Sequence, residues 1–125
     1  MNFHRNKNMI LSPTMLASKR LEMQDRGGVN WLIDLFISEF PNYLQELQLA
    51  IDIKDGDELY LAAHKFKGAC SSMGADDLVE TCKQLEILGK NNNLAEASMV
   101  IKEVPKKIEL LIAALEQDKL DYPEE

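Results

Sequence analysis

Apolar residues recur along this chain at steps of three and four, and no stretch alternates apolar and polar over a strand's length, so the pattern predicts helices throughout. One stripe comprises Leu59, Ala62, Phe66, Ala69, Cys70 and Met73; the next comprises Leu78, Cys82, Leu85 and Leu88. Leu94, Ala97, Ile101, Val104, Ile108, Leu111 and Leu115 form the most regular stripe, which predicts one long helix bent at Pro105. Leu32, Leu35, Phe36, Phe40, Tyr43, Leu44 and Leu47 keep phase across Pro41 and predict a kinked but continuous helix from Val29 to Ile51. A shorter helix is expected from Ser12, as N-cap, and Pro13, as first helical residue, to about Gln24, where Gly27-Gly28 breaks it.

Boundary signals agree with this division. Asp55 or Asp57 can cap the helix that carries Leu59, and Gly74 suits a left-handed cap at its end. Asp77 with Glu80, and Asn93 with Glu96, have the spacing of capping boxes, and Gly89 with Asn91-Asn92-Asn93 ends the helix between them. Residues 1–11 show no period and form a loose lead, residues 12–118 form one helical domain, and residues 119–125 form an acidic tail, with fraying expected from Asp118 onward. No internal repeat or low-complexity segment interrupts the chain.

At 125 residues the chain can bury roughly two thirds of its unfolded surface without staples. The two cysteines, Cys70 and Cys82, both fall on apolar stripes, which predicts buried reduced thiols and fits a reducing cytoplasm. A formal net charge of −7 repels phosphate backbones and disfavours nucleic acid or an anionic membrane as partner. No apolar run approaches the roughly 20 residues of a membrane span, and Met1 to Met9 is polar rather than signal-like. Several chemistries also lack their residues. There is no glycine-rich nucleotide loop, no paired-ligand spacing for a metal, and no base or oxyanion donor identifiable for Ser71 or Ser72.

What remains is an imidazole. Helical arithmetic at about 100° per residue turns His64 some 170° away from its helix's apolar stripe, beside Tyr60, Gly68 and Ser71, with Lys67 on the flank. Gly68 follows one turn later on the same face, where glycine costs roughly 0.5 to 1 kcal/mol relative to alanine. A partner's close approach explains that cost better than helix packing does, because the position faces away from the core. Lys65 and Lys67 supply positive charge beside the ring, and Lys83 and Lys90 add to a local basic cluster on an acidic body. The chemistry this suggests is capture of a phosphoryl group by a neutral imidazole. A surface histidine without a role, and solvated charges at the lysines, are the plainer alternatives.

The run His64-Lys65-Phe66-Lys67-Gly68-Ala69-Cys70-Ser71-Ser72-Met73-Gly74-Ala75 resembles the signature of histidine-containing phosphotransfer (HPt) domains, and Leu78, Cys82, Leu85-Glu86 and Leu88-Gly89 resemble the helix that follows it. The resemblance extends from about Ser12 to Leu115. It implies an all-α antiparallel four-helix bundle, here with a short additional N-terminal helix over one end. It also implies a phosphoryl carrier between receiver-domain aspartates, rather than an enzyme, with His64 as phosphoacceptor. In the family a Gln or Glu at the position of Glu86, on the shoulder of its helix's stripe, accepts a hydrogen bond from the histidine's Nδ1 and leaves Nε2 free. Lys67 and Lys65 are expected to support the phosphate or docking, Gly68 to clear space for the partner, and Ser71 and Lys90 to lie at the docking periphery. No cofactor or metal is expected on this chain, magnesium belonging to the receiver. The expected partners are response-regulator receiver domains and a hybrid sensor histidine kinase, met by a cytoplasmic monomer. A bundle that docks receivers without carrying phosphate, and a domain phosphorylated directly by a histidine kinase, are the competing readings.

Overall fold

A computed structural model describes residues 9–22 and 28–123. Six helices follow one another there: α1 (Met15–Glu22), α2 (Gly28–Asp52), α3 (Gly56–Met73), α4 (Asp76–Lys90), α5 (Leu94–Ile101) and α6 (Val104–Asp121). They form an all-α bundle in which α2, α3, α4 and the α5–α6 pair are the four staves and α1 lies across one end. α3 is central, packing most extensively on α4 and then on α2. Its core face is the expected one: Leu59, Ala62, Phe66, Cys70 and Met73 are buried, joined by Ala63, with Ala69 partly covered. Tyr43 from α2 stacks on Phe66 at 5.2 Å between ring centroids.

The caps of α3 match the sequence closely. Asp55 accepts the Glu58 amide at 3.1 Å, and Gly74 ends the helix at φ +75°. A side chain at Gly74 would be doubly excluded, since a Cβ there would also lie 2.7 Å from that of Met15. That contact seats α1 against the end of α3. Asn93 caps α5 through the Glu96 amide, as its spacing predicts.

Other expectations need correction. The long C-terminal stripe is carried by two helices, because Pro105 has no N–H for the Ile101 carbonyl and its ring crowds that oxygen. The chain therefore ends α5 at Ile101 and uses Pro105 in the first turn of α6, where the missing donor costs nothing. Pro41, by contrast, lies inside a continuous α2, held on either side by the buried Ile33, Phe36, Leu47 and Ala50. The α2 stripe is rotated toward Val29 and Ile33, which leaves Leu35 at the surface. α4 begins at Asp76, one residue before the expected box; Asp77 makes no cap bond and instead receives Lys107 from α6. α4 ends where Gly89 and Asn91-Asn92-Asn93 place its end, at Lys90, with Asn91 at the C-cap. α1 starts at Met15 rather than Pro13, with the Thr14 carbonyl accepting the Ser18 amide at 2.8 Å, while the Ser12 amide is bonded to the Gly74 carbonyl at 2.7 Å. Its expected end at Gln24, and Gly27 of the break, lie outside the described residues, as does most of the lead. Within the lead, the Met9 carbonyl accepts the Asp77 amide and Leu11 packs on the core. Nor does the chain fray at Asp118, since α6 continues to Asp121.

The reason α6 persists is a buried polar clasp. Arg20 of α1 donates to Asn30 of α2 and to Asp118 of α6, both at 2.7 Å, with its guanidinium 4.6 Å from the centre of the Tyr122 ring. Asn30 in turn donates to the Tyr122 carbonyl. The clasp thus ties three helices together at the end of the bundle.

Candidate functional site

His64 projects from the middle of α3 with its side chain 59% exposed, as the helical arithmetic requires. Its Nδ1 lies 2.7 Å from Glu86 Oε2 on α4, while the second carboxylate oxygen, Oε1, accepts from Lys67 Nζ at 2.9 Å. Glu86 is only 12% exposed and Lys67 24%. A carboxylate thus lies between a cation and an imidazole at the seam of two helices. Burial pushes the Glu86 carboxyl up, but the bond from Lys67, the bond from His64 and the attraction of both groups outweigh it and hold the acid below its usual 4.5. An ionised Glu86 accepts from Nδ1–H, which selects the tautomer whose Nε2 carries the lone pair. No described residue bonds to Nε2.

The approach of α4 that makes this bond possible depends on two glycines. A Cβ on Gly89 would lie 2.7 Å from the Gly56 carbonyl oxygen and 2.9 Å from the Tyr60 nitrogen, and a Cβ on Gly56 would meet the Gly89 carbonyl oxygen at 2.4 Å. Neither helix could come so near with a side chain at the crossing. Gly68 is different in kind. A Cβ added there would meet nothing within 4 Å, so no contact inside the molecule requires glycine, and the open space faces outward beside His64.

The remaining expected residues divide. Lys67 is at the site through Glu86, and Ser71 is exposed one turn beyond Gly68. Lys65 is not part of this group: it turns to α2 and pairs with Glu46 at 3.1 Å, the nearest carboxylate on that flank. Lys83 pairs with Glu80 along α4. Lys90 reaches the neighbourhood by another route, with its Nζ 4.7 Å from the centre of the Tyr60 ring, and Tyr60 itself stacks on the His64 imidazole. The sequence pattern alone gives no role to Tyr60 or to the Gly56–Gly89 crossing. The spacing of Tyr60, one turn before His64, was the available signal. Cys70 and Cys82 are free and buried where α3 meets α4; the bond to Cys82, with burial, pushes the Cys70 thiol far up, so it is no nucleophile. Among the described residues no three His, Cys, Asp or Glu side chains are placed to hold a metal ion, and no helix is long and apolar enough to cross a membrane.

Residues 32–118 match the model of the Hpt domain family. The chain is 28% identical over 91 residues to the phosphorelay intermediate protein rdeA of Dictyostelium discoideum, a match covering 73% of this chain and 36% of that protein. The chain thus corresponds to little more than a third of that relative's length. Its fold superposes on the crystal structure of histidine-containing phosphotransfer protein B (HptB) from Pseudomonas aeruginosa PAO1 with a TM-score of 0.82 and 29% identity, covering 90% of this chain and 96% of the other. With the motif, the bundle and an outward imidazole held at Nδ1 all in place, the chain belongs to the Hpt domain family.

Proposed function

We propose that this protein is an intermediate phosphoryl carrier in a multistep phosphorelay, with His64 as its phosphoacceptor. The observation that carries the proposal is the division of the imidazole: Nδ1 is held by Glu86 at 2.7 Å, while the ring is 59% exposed. The Nε2 lone pair attacks the phosphorus of an aspartyl phosphate on a receiver domain, an N–P bond forms, and the O–P bond breaks as the carboxylate leaves with its electron pair. Onward transfer reverses these steps on a second receiver. Glu86 holds the ring and stabilises the positive charge that develops on it, and Lys67 anchors Glu86 and offsets charge on the phosphoryl oxygens. Magnesium and the remaining catalytic groups belong to the receiver, so this chain is a carrier rather than an enzyme.

Gly68 and Ser71 give the receiver room beside His64, and the half-open groove of Leu32, Phe36, Ala69 and Ser72 between α2 and α3 offers an adjoining apolar surface. A hybrid sensor histidine kinase and a response regulator are the partners this role requires, met by a cytoplasmic monomer. The test is incubation with radiolabelled ATP and a kinase domain, with and without a receiver domain. The carrier reading predicts label on this protein only when a receiver is present. Label from a kinase domain alone would establish direct phosphorylation instead, and no label under either condition would leave a docking module that carries no phosphate.

A further inference from the structure

A single hydrogen bond does not fix an imidazole. The Glu86 bond sets the tautomer and the position of Nδ1, but the last torsion of a histidine is broad, and the ring can still rock about that bond. The plane of the ring decides where the Nε2 lone pair points. Tyr60 lies one turn before His64 on α3, half-buried, with ring centroids 5.9 Å apart and planes 15° from parallel. That falls within the range of offset aromatic stacking. Tyr60 is held in turn: Lys90 Nζ lies 4.7 Å from its ring centre, and the missing side chain of Gly89 lets α4 come against the Tyr60 backbone. Glu86 and Lys90 are one turn apart on α4, as Tyr60 and His64 are on α3. The contacts therefore run from Glu86 through His64 and Tyr60 to Lys90 across the two helices, holding the imidazole at its edge through Glu86 and at its face through Tyr60.

We infer that Tyr60, braced by Lys90, is a second positioning residue for His64, setting the plane of the ring whose tautomer Glu86 sets. This rests on the reading of His64 as a phosphoacceptor. The contact is made by the ring: among the described residues the Tyr60 hydroxyl makes no hydrogen bond. Phenylalanine should therefore serve as well as tyrosine, and leucine, which keeps apolar volume without a π face, should not.

The test uses phosphoramidate, a small donor that needs no docking surface: Nε2 bonds to phosphorus, the donor's P–N bond breaks, and ammonia leaves. Rates are followed together with the His64 Cδ2 and Cε1 proton shifts of the unphosphorylated protein by NMR. Tyr60→Ala and Tyr60→Leu should move both protons as the ring current is lost and slow uptake about two- to tenfold. Tyr60→Phe should restore the shifts and the rate, and Lys90→Ala should act in the same direction as Tyr60→Ala by a smaller amount. Unchanged shifts or unchanged uptake in both Tyr60→Ala and Tyr60→Leu overturns the inference, as does a Tyr60→Phe protein that behaves like Tyr60→Ala. If the wild-type protein takes no phosphate, the carrier reading fails, while the proton shifts still decide whether Tyr60 holds the ring.

Discussion

Arg20 and His64 each meet a carboxylate at 2.7 Å, on Asp118 and Glu86 respectively, yet the two clusters do different things. Arg20 is 7% exposed, bonds to Asn30 as well as Asp118, and has the Tyr122 ring against its guanidinium, so its hydrogen bonding is directed inward and ties α1, α2 and α6 together. His64 is 59% exposed and directs only Nδ1 inward. The bond lengths are the same. What separates the inward clasp from the outward imidazole here is the capacity left facing water after the internal bonds are made.

The sharpest way to break that contrast is to exchange the groups that define it. His64→Gln should abolish acid-labile phosphate uptake while changing unfolding free energy by less than about 0.5 kcal/mol, because the position is on the surface. Retained uptake, read as gel label that is present before acid treatment and lost after it, would place the phosphate elsewhere. Arg20→Met should do the opposite, lowering stability by about 2 to 4 kcal/mol in urea denaturation as Asn30 and Asp118 lose their donor, with uptake in the folded protein unchanged. A stability loss below about 1 kcal/mol would show that the clasp is not what holds the α1 end.

Finer changes separate functions within the site. Glu86→Ala should slow uptake by about tenfold without abolishing it, since the nucleophile remains and only its orientation is loosened. Gly68→Gln should stabilise α3 by roughly 0.5 kcal/mol, leave uptake from phosphoramidate unaltered, and slow transfer from a receiver domain; a receiver transfer rate equal to wild type would remove the clearance argument. The smallest effect is in pH. Because Glu86 is held below 4.5 when folded, its bonds contribute stability that is fully present above that value and is lost as pH falls further through the folded value. The difference in urea midpoint between wild type and Glu86→Gln should accordingly be constant near neutrality and shrink below about pH 4.5.

Local features of this fold were legible in the sequence because their partners lie within a turn or two. Asp55 and Asn93 cap residues three positions on, Gly74 sits at its left-handed position, and the period of α3 alone turned His64 outward. The misreadings all depend on partners far along the chain. Asp77 looked like a cap until Lys107, on α6, was brought beside it. Asp118 looked like the start of a frayed tail because Arg20, its partner, is 98 residues away. Lys65 could not be separated from Lys67 by charge or spacing, and only the neighbouring Glu46 and Glu86 assign one to α2 and the other to the site. Gly89 lies at the helix end the sequence marks, but its close approach to Gly56 and Tyr60 depends on another helix and has no local signal. Pro41 and Pro105 show the same limit: both fall in apolar stripes of one period, yet α2 runs through the first and the chain breaks before the second.

The account turns on one nitrogen. Phosphorylating the uniformly labelled protein with phosphoramidate and correlating phosphorus with the imidazole nitrogens by NMR identifies the bonded atom directly. The structure predicts a single acid-labile adduct at Nε2 of His64, with Nδ1 still protonated toward Glu86. Phosphate at Nδ1, on Ser71, or on no residue at all would contradict it.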